Sequence, residues 1–137
     1  MLDSTASLGK NAKLSVTEKL LTHGAQTVVS NIYIDLNGEG SSARIVSRSV
    51  AKDSSKQEFH PVARGNVDCQ AHIQCDSIIM DEAVVRSIPE IAANCRDAQI
   101  VHEAAIGRIN SEQLIKLETL GLGEEEAQQV IIDAFLE

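Results

Sequence analysis

The sequence predicts a mainly β chain: a single-stranded β-helix (solenoid) core followed by a short two-helix C-terminal segment. Three observations carry this. Turn-like clusters recur at a steady interval through the first hundred residues. The stretches between them are short and rich in β-formers. Aromatic residues make up 2 %, with no Trp, one Tyr (Tyr33) and two Phe (Phe59, Phe135). A core of Val, Ile, Leu and Ala with almost no rings suits thin stacked layers better than a sandwich.

The turns centre near Lys10, Gly24, Gly38, Asp53, Gly65, Asp81 and Arg96, at intervals of 14, 14, 15, 12, 16 and 15 residues. Between them lie "KLSVT" (13–17), "TVVSNIYIDL" (27–36), "ARIVSRSV" (43–50), "QEFHPVA" (57–63), "QAHIQCDSII" (70–79), "AVVRSIPEI" (83–91) and "QIVHEA" (99–104). None of these shows a 3.6-residue apolar stripe over three turns. A fixed strand–turn period on a loose sequence marks a solenoid. Two units, about 28 residues, make one coil with strands on two opposing faces. An antiparallel sandwich, with strands about every 10 residues, is the alternative.

After residue 110 the pattern becomes helical. Asn110 or Ser111 can cap the first helix, with Glu112 and Gln113 in its opening turn. Leu114, Leu117 and Leu120 form a stripe, and Gly121 suits the position just past the helix end. Gly123 caps the second helix, and Glu124, Glu125 and Glu126 sit in its positive first turn. Its predicted apolar face is Ala127, Val130, Ile131, Ala134 and Phe135. The 137 residues thus divide into a β-helix core over 1–109 and a helical segment over 110–137.

Net charge is −8, which argues against nucleic acid and against an anionic membrane surface. No apolar run approaches the roughly 20 residues of a membrane span. "MLDSTASLGK" lacks the charged and apolar regions of a signal peptide. Three cysteines, Cys69, Cys75 and Cys95, with no export signal, read as reduced thiols in the cytoplasm.

The chemistry-bearing stretch is "QIVHEAAIGRI" (99–109), where His102 and Glu103 sit side by side on a strand. At a 28-residue period Glu103 lies above Cys75, about 4.8 Å away across the sheet, and His102 points to the other side. Thiol, carboxylate and imidazole are ligands for iron or zinc. "CQAHIQC" (Cys69, His72, Cys75) is a rival metal set, but on a strand His72 faces away from both cysteines. His23 and His60 read as turn or surface residues. Phosphate-binding glycine loops, GxSxG and HExxH are absent.

"HIQCDSIIM" (72–80), "AVVRSIPEIAANCRDAQIVHEAAIGRI" (83–109) and "SEQLIKLETLGLGEEEAQQVIIDAFL" (111–136) together resemble the SufB/SufD family, the β-helical scaffold proteins of the SUF iron–sulfur cluster assembly system. "STASLG" and "GEGSSARIVSRSVAK" nearer the N-terminus are similar to the family's β-helix core. The resemblance implies a transient iron–sulfur cluster at Cys75, Glu103 and His102. Cys75 matches the functional cysteine of SufB-like "QCDS", and Glu103 the glutamate after the "HEA" histidine. His102 matches the histidine that SufD-like proteins use. With all three present the chain is more SufB-like, and a homodimer or a SufB/SufD-like partner completes the site. The family's terminal helices dock a SufC-type ATPase, which here points to Leu114, Leu117, Leu120, Val130, Ile131 and Phe135. Family members are usually longer, with several more coils, and the stretch before the second helix is here "KLETLGL". No role carries over to Cys69 or Cys95, which read as core or incidental thiols.

The expected function is therefore a cluster-assembly scaffold, not an enzyme with its own turnover. The alternative is a structural module that dimerises and docks the ATPase without a cluster. An enzyme on a β-helix lacks support, because no carboxylates pair at rung spacing on one face.

Overall fold

The computed structural model describes residues 1–137. Nine strands precede two helices: β1 (Leu2–Leu8), β2 (Lys13–Thr22), β3 (Thr27–Leu36), β4 (Ser41–Ala51), β5 (Lys56–Gly65), β6 (Cys69–Ile79), β7 (Val84–Ser87), β8 (Glu90–Ala93), β9 (Ala98–Gly107), α1 (Ser111–Thr119) and α2 (Glu124–Leu136). Every strand pairing is parallel. β1, β3, β5 and β7 stack in one sheet, with β8 also on β5; the other sheet is β2-β4-β6-β9. The chain thus winds through four coils, as the turn period predicts.

Two strands differ from the sequence expectation. Residues 2–8 form β1 although "LDSTASL" carries no β-branched run; pairing with β3 from Leu2↔Ser30 to Leu8↔Leu36 holds it. The segment 83–91 splits into β7 and β8, both on β5. Pro89, between them, has no N–H to give the ladder. It falls level with Pro61 one coil below, since Phe59↔Ser87 and Val62↔Glu90 flank the two prolines.

Inward positions form columns that run through the coils. Near one corner they are apolar: Leu8, Ile34, Leu36, Ile45, Ile73 and Cys69 belong to one buried cluster. Toward the other corner the interior is polar and paired. Gln57 Nε2 donates to Thr22 Oγ1 at 2.8 Å, Thr22 and Ser55 hydroxyls share a bond of 2.9 Å, and Ser55 donates to the Lys52 carbonyl. Ser49 and Ser77 share another, of 2.8 Å. Hydroxyls and amides stacked one coil apart satisfy each other, which removes the cost of burying them.

The corners carry ladders of their own. Asn94 donates to Asn66 at 2.8 Å, Asn66 to Asn37 at 2.7 Å, and Asn37 to Ser7 at 2.9 Å. At the opposite corner Asp53 accepts from the Gly24 amide, and Asp81 from the Asp53 amide. A Cβ on Gly38 would overlap the Gly9 carbonyl carbon and the Lys10 nitrogen, so the first two coils touch there through backbone.

Asn110 caps α1 by accepting from the Glu112 amide at 2.8 Å. Gly121, at φ 97°, follows its end. The buried stripe of α2 differs from the predicted face: Ala127 and Ile132 are fully buried, whereas Val130 and Ala134 are exposed. The run Val130-Ile131-Ile132 offers several adjacent apolar stripes; α2 packs against β4, and Ile132 is the buried member of the run. Val50, between inward-facing Ser49 and Ala51, is fully buried. No helix is long and apolar enough to cross a membrane.

Candidate functional site

The predicted trio occupies two adjacent strands, but not in the predicted arrangement. β6 pairs with β9 so that Cys75 lies beside Ala104, 29 residues on, and Glu103 beside Gln74. A register shifted by one residue moves a side chain to the opposite face. Cys75 and His102 therefore share the inner side, and Glu103 lies on the outer surface. The stacking of Glu103 on Cys75 expected from a 28-residue period does not occur. The extra residue lies in the turn before β9: Asn94 bonds to Asn66, 28 residues earlier, yet Ala98 pairs with Cys69, 29 earlier.

Cys75 is buried at 1 % exposure in the column Glu18, Ser47, Cys75, Ala104. Its surroundings are polar. Sγ lies 3.8 Å from Ser77 Oγ. Glu18, two coils below, accepts from both Ser30 and Ser47 at 2.8 Å. Burial pushes the Cys75 thiol up; hydrogen bonds from Ser77 and Ser87 pull it down, and the Asp76 and Glu18 charges push it up again. The outcome is a thiol that keeps its proton at neutral pH until a metal or a cation displaces it.

Two buried polar atoms in the last coil have no nitrogen or oxygen partner: His102 Nε2, and Ser87 Oγ, which has only the Cys75 thiol beside it. Both belong to the coil that holds Ala104, the neighbour of Cys75. His102 stacks on Ile73, so an imidazole ends an apolar column. Its free nitrogen can ligate a metal.

Glu103 finds a partner that the sequence reading passed over. Its Oε2 lies 3.4 Å from His72 Nε2 on the outer face. Both line an open groove of about 440 Å³ with Arg44, Gln70 and Gln99. His72 does face away from Cys69 and Cys75, so "CQAHIQC" builds no metal centre. His60, expected at a turn or on the surface, lies half-buried on β5; its Nδ1 meets Asn31 Oδ1 at 3.1 Å and its Nε2 lies 3.2 Å from Glu58. Nowhere do three or more His, Cys, Asp or Glu side chains converge as a metal site.

The other cysteines differ from Cys75. Cys69 is buried at 1 % exposure in the apolar cluster, beside Gly65, Ala98 and Ile100. Burial raises its thiol as well. Cys95 lies half-buried in the turn before β9. Among the residues expected to face a partner, Leu120 and Val130 are exposed and Leu114, Leu117, Ile131 and Phe135 half-buried.

Residues 3–135 match the family model described as "SUF system FeS cluster assembly, SufBD core domain". The chain belongs to the SufBD family. It is 34 % identical over 128 residues to an iron–sulfur cluster assembly SufBD family protein of Methanocaldococcus jannaschii, covering 93 % of this chain and 40 % of that one. A Pyrococcus horikoshii SufBD family protein is 32 % identical over 136 residues, covering 98 % and 42 %. One from Methanothermobacter thermautotrophicus is 37 % identical over 103 residues, covering 74 % and 25 %. The chain thus spans a quarter to about two fifths of the length of these SufBD relatives. The family's description places it in SUF iron–sulfur cluster assembly, and in this chain the β-helix positions Cys75, His102 and Glu103.

Proposed function

We propose that this SufBD chain is a scaffold on which a nascent iron–sulfur cluster is built and passed on, without turnover of its own. The observation that carries this reading is the setting of Cys75. It is a buried thiol among hydroxyls, next to a coil that holds an unpartnered imidazole nitrogen. Cys69, by contrast, belongs to the apolar cluster and has no side-chain hydroxyl beside it. In this reading Cys75 binds iron as a thiolate, losing its proton as metal arrives, or takes the outer sulfur of a donor persulfide, whose own sulfur leaves as a thiol. His102 supplies nitrogen from the same side. Glu103 acts from the outer face, as an oxygen ligand or proton acceptor, once a second chain lies against the last coil. That chain, a second copy or a SufB/SufD-like partner, brings the remaining ligands. A SufC-type ATPase docks on α1 and α2, whose Leu120 and Val130 stand exposed. The setting is the cytoplasm.

A test is anaerobic reconstitution with iron and sulfide, read by visible absorbance. Wild type gains a charge-transfer band, Cys75→Ser loses it, Glu103→Ala weakens it and Cys69→Ser retains it. A band that survives in Cys75→Ser removes the proposed site. No band in wild type favours the module that docks an ATPase without a cluster.

A further inference from the structure

The outer face of the β2-β4-β6-β9 sheet is divided by charge. On the first two coils its outward positions are Lys13, Ser15, Thr17 and Lys19 from β2, and Ser42, Arg44, Val46 and Arg48 from β4. Four are cations and none is a carboxylate, in a chain whose net charge is −8. Acidic groups enter this face on the next two coils, as Asp76 and Glu103. Glu103 is held by His72.

These cations have no partner within the chain. Lys13, Lys19, Arg44 and Arg48 appear in no ion pair and no side-chain hydrogen bond, although two ion pairs form elsewhere on the sheets around Glu58. Lys19 pairs directly across from Arg48, a like-charge contact that costs stability. Asp76 is the neighbour of Arg48 on the other side, the natural counter-charge, yet its carboxylate accepts from Gln74 at 2.7 Å instead. A repulsive pair with its counter-ion turned away is what a surface meant for an external anion looks like.

Three of the four cations border a concavity, and Lys13 lies beyond it on the same strand. Lys19, Arg44 and Arg48 line an open groove of about 460 Å³ with the hydroxyls of Ser15 and Thr17. Glu137 also borders it, so a carboxylate of this chain already lies at the rim without pairing. From Lys13 to Lys19 the cations extend along six residues of strand, about 20 Å at the usual rise. That length suits an extended polypeptide better than one phosphate group, which reaches one or two of the cations.

We propose that the groove over β2 and β4 docks an extended acidic segment of a partner protein, held by Lys13, Lys19, Arg44 and Arg48. The proposal is independent of cluster assembly at Cys75, and its test needs neither iron nor sulfide. The probe is a fluorescein-labelled peptide of consecutive glutamates, followed by anisotropy on the full chain. Wild type should bind it and lose about tenfold in affinity when salt rises severalfold, as screening of exposed charges requires. A peptide of the same length with glutamine for glutamate should not bind. Arg44→Glu with Arg48→Glu should abolish binding, and Arg44→Gln with Arg48→Gln should weaken it without lowering the melting temperature. Arg64→Glu with Lys116→Glu, on other faces, should leave it intact. Absence of binding by wild type, or retention in the Arg44/Arg48 variants, overturns the proposal. Displacement of the peptide by pyrophosphate at a lower concentration than by unlabelled peptide assigns the groove to a small polyphosphate and also overturns it. So does a dimer that dissociates on charge reversal, which would make a second copy the occupant.

Discussion

At the level of single residues, the interior of the coil decides what each ionisable group can do. Cys75 is raised chiefly by burial, against the pull of Ser77 and Ser87. Its alkylation by iodoacetamide should therefore reach half its limiting rate at a pH above the roughly 8.5 of a free thiol, as mass spectrometry of the modified peptide would read. A midpoint at or below that value would mean that the thiol is not held in its neutral form. The stability consequence has a definite sign. The folded chain holds this proton more tightly than the unfolded one, so the contribution is full below the free-thiol range. It is lost as pH rises through the folded value. Glu18 gives the complementary case. Both of its oxygens accept from inward hydroxyls, of Ser30 and Ser47. Glu18→Ala leaves two hydroxyls without an acceptor and should cost about 2 kcal/mol, since each unmet buried group costs about 1–3 and the site is half-buried. Glu18→Gln, which keeps an acceptor and lets the second hydroxyl rotate, should cost less than half as much by denaturant unfolding. Equal losses would show that charge, not bond satisfaction, holds the column.

At the level of elements, each coil is fastened to the next by identical contacts at a corner. Asn66 both donates to Asn37 and accepts from Asn94. Asn66→Ala should therefore cost about 1 kcal/mol, two exposed bonds at the lower end of the net hydrogen-bond range. Asn94→Ala, which breaks one bond, should cost about half of that, and equal costs in urea titrations would deny the ladder its role. These corners also explain what was legible in the sequence. Turn residues repeat with every coil, so the solenoid, its two faces and most strands follow from spacing alone. Register does not, because a coil closes with 28 or 29 residues depending on one turn. "NVDC" runs three residues from Asn66 to Cys69, and "NCRDA" four from Asn94 to Ala98. Aligning the corner asparagines, Asn66 with Asn94, and also the strand-start glutamines, Gln70 with Gln99, exposes the extra residue, places Glu103 outside and reveals His72 as its neighbour. β1 was not legible, because "LDSTASL" carries a single β-branched residue, Thr5, and takes its form from β3. Ile132 was hidden within an apolar run that only tertiary packing resolves. The cap at Asn110, a local interaction, was readable without tertiary knowledge.

At the level of the whole molecule, a stack of parallel coils has two ends, and an open end leaves a row of unpaired N–H and C=O groups. At the β9 end the interior is uncovered: Ile106, stacked above Ser77 in an inward column, is 40 % exposed, and Ile91 41 %. At the β1 end Leu2, stacked beneath Ser30, is 47 % exposed. The proposed site picks out the β9 side. His102, Ser87 and the neighbour of Cys75 all belong to the last coil, so a second chain that completes a cluster site must lie against β7, β8 and β9. A charge placed there should oppose association by burying a cation without a partner. Ile91→Lys with Ile106→Lys should therefore weaken self-association or pairing with a SufB/SufD-like chain by about tenfold or more, the loss of roughly 1.4 kcal/mol. Leu2→Lys, at the far end, should leave it within about twofold. Sedimentation velocity over a concentration series reads both. If Leu2→Lys dissociates the complex while the Ile91/Ile106 variant stays paired, the contact runs through the first coil. Cys75 and His102 would then be too far from any second chain to share a cluster with it.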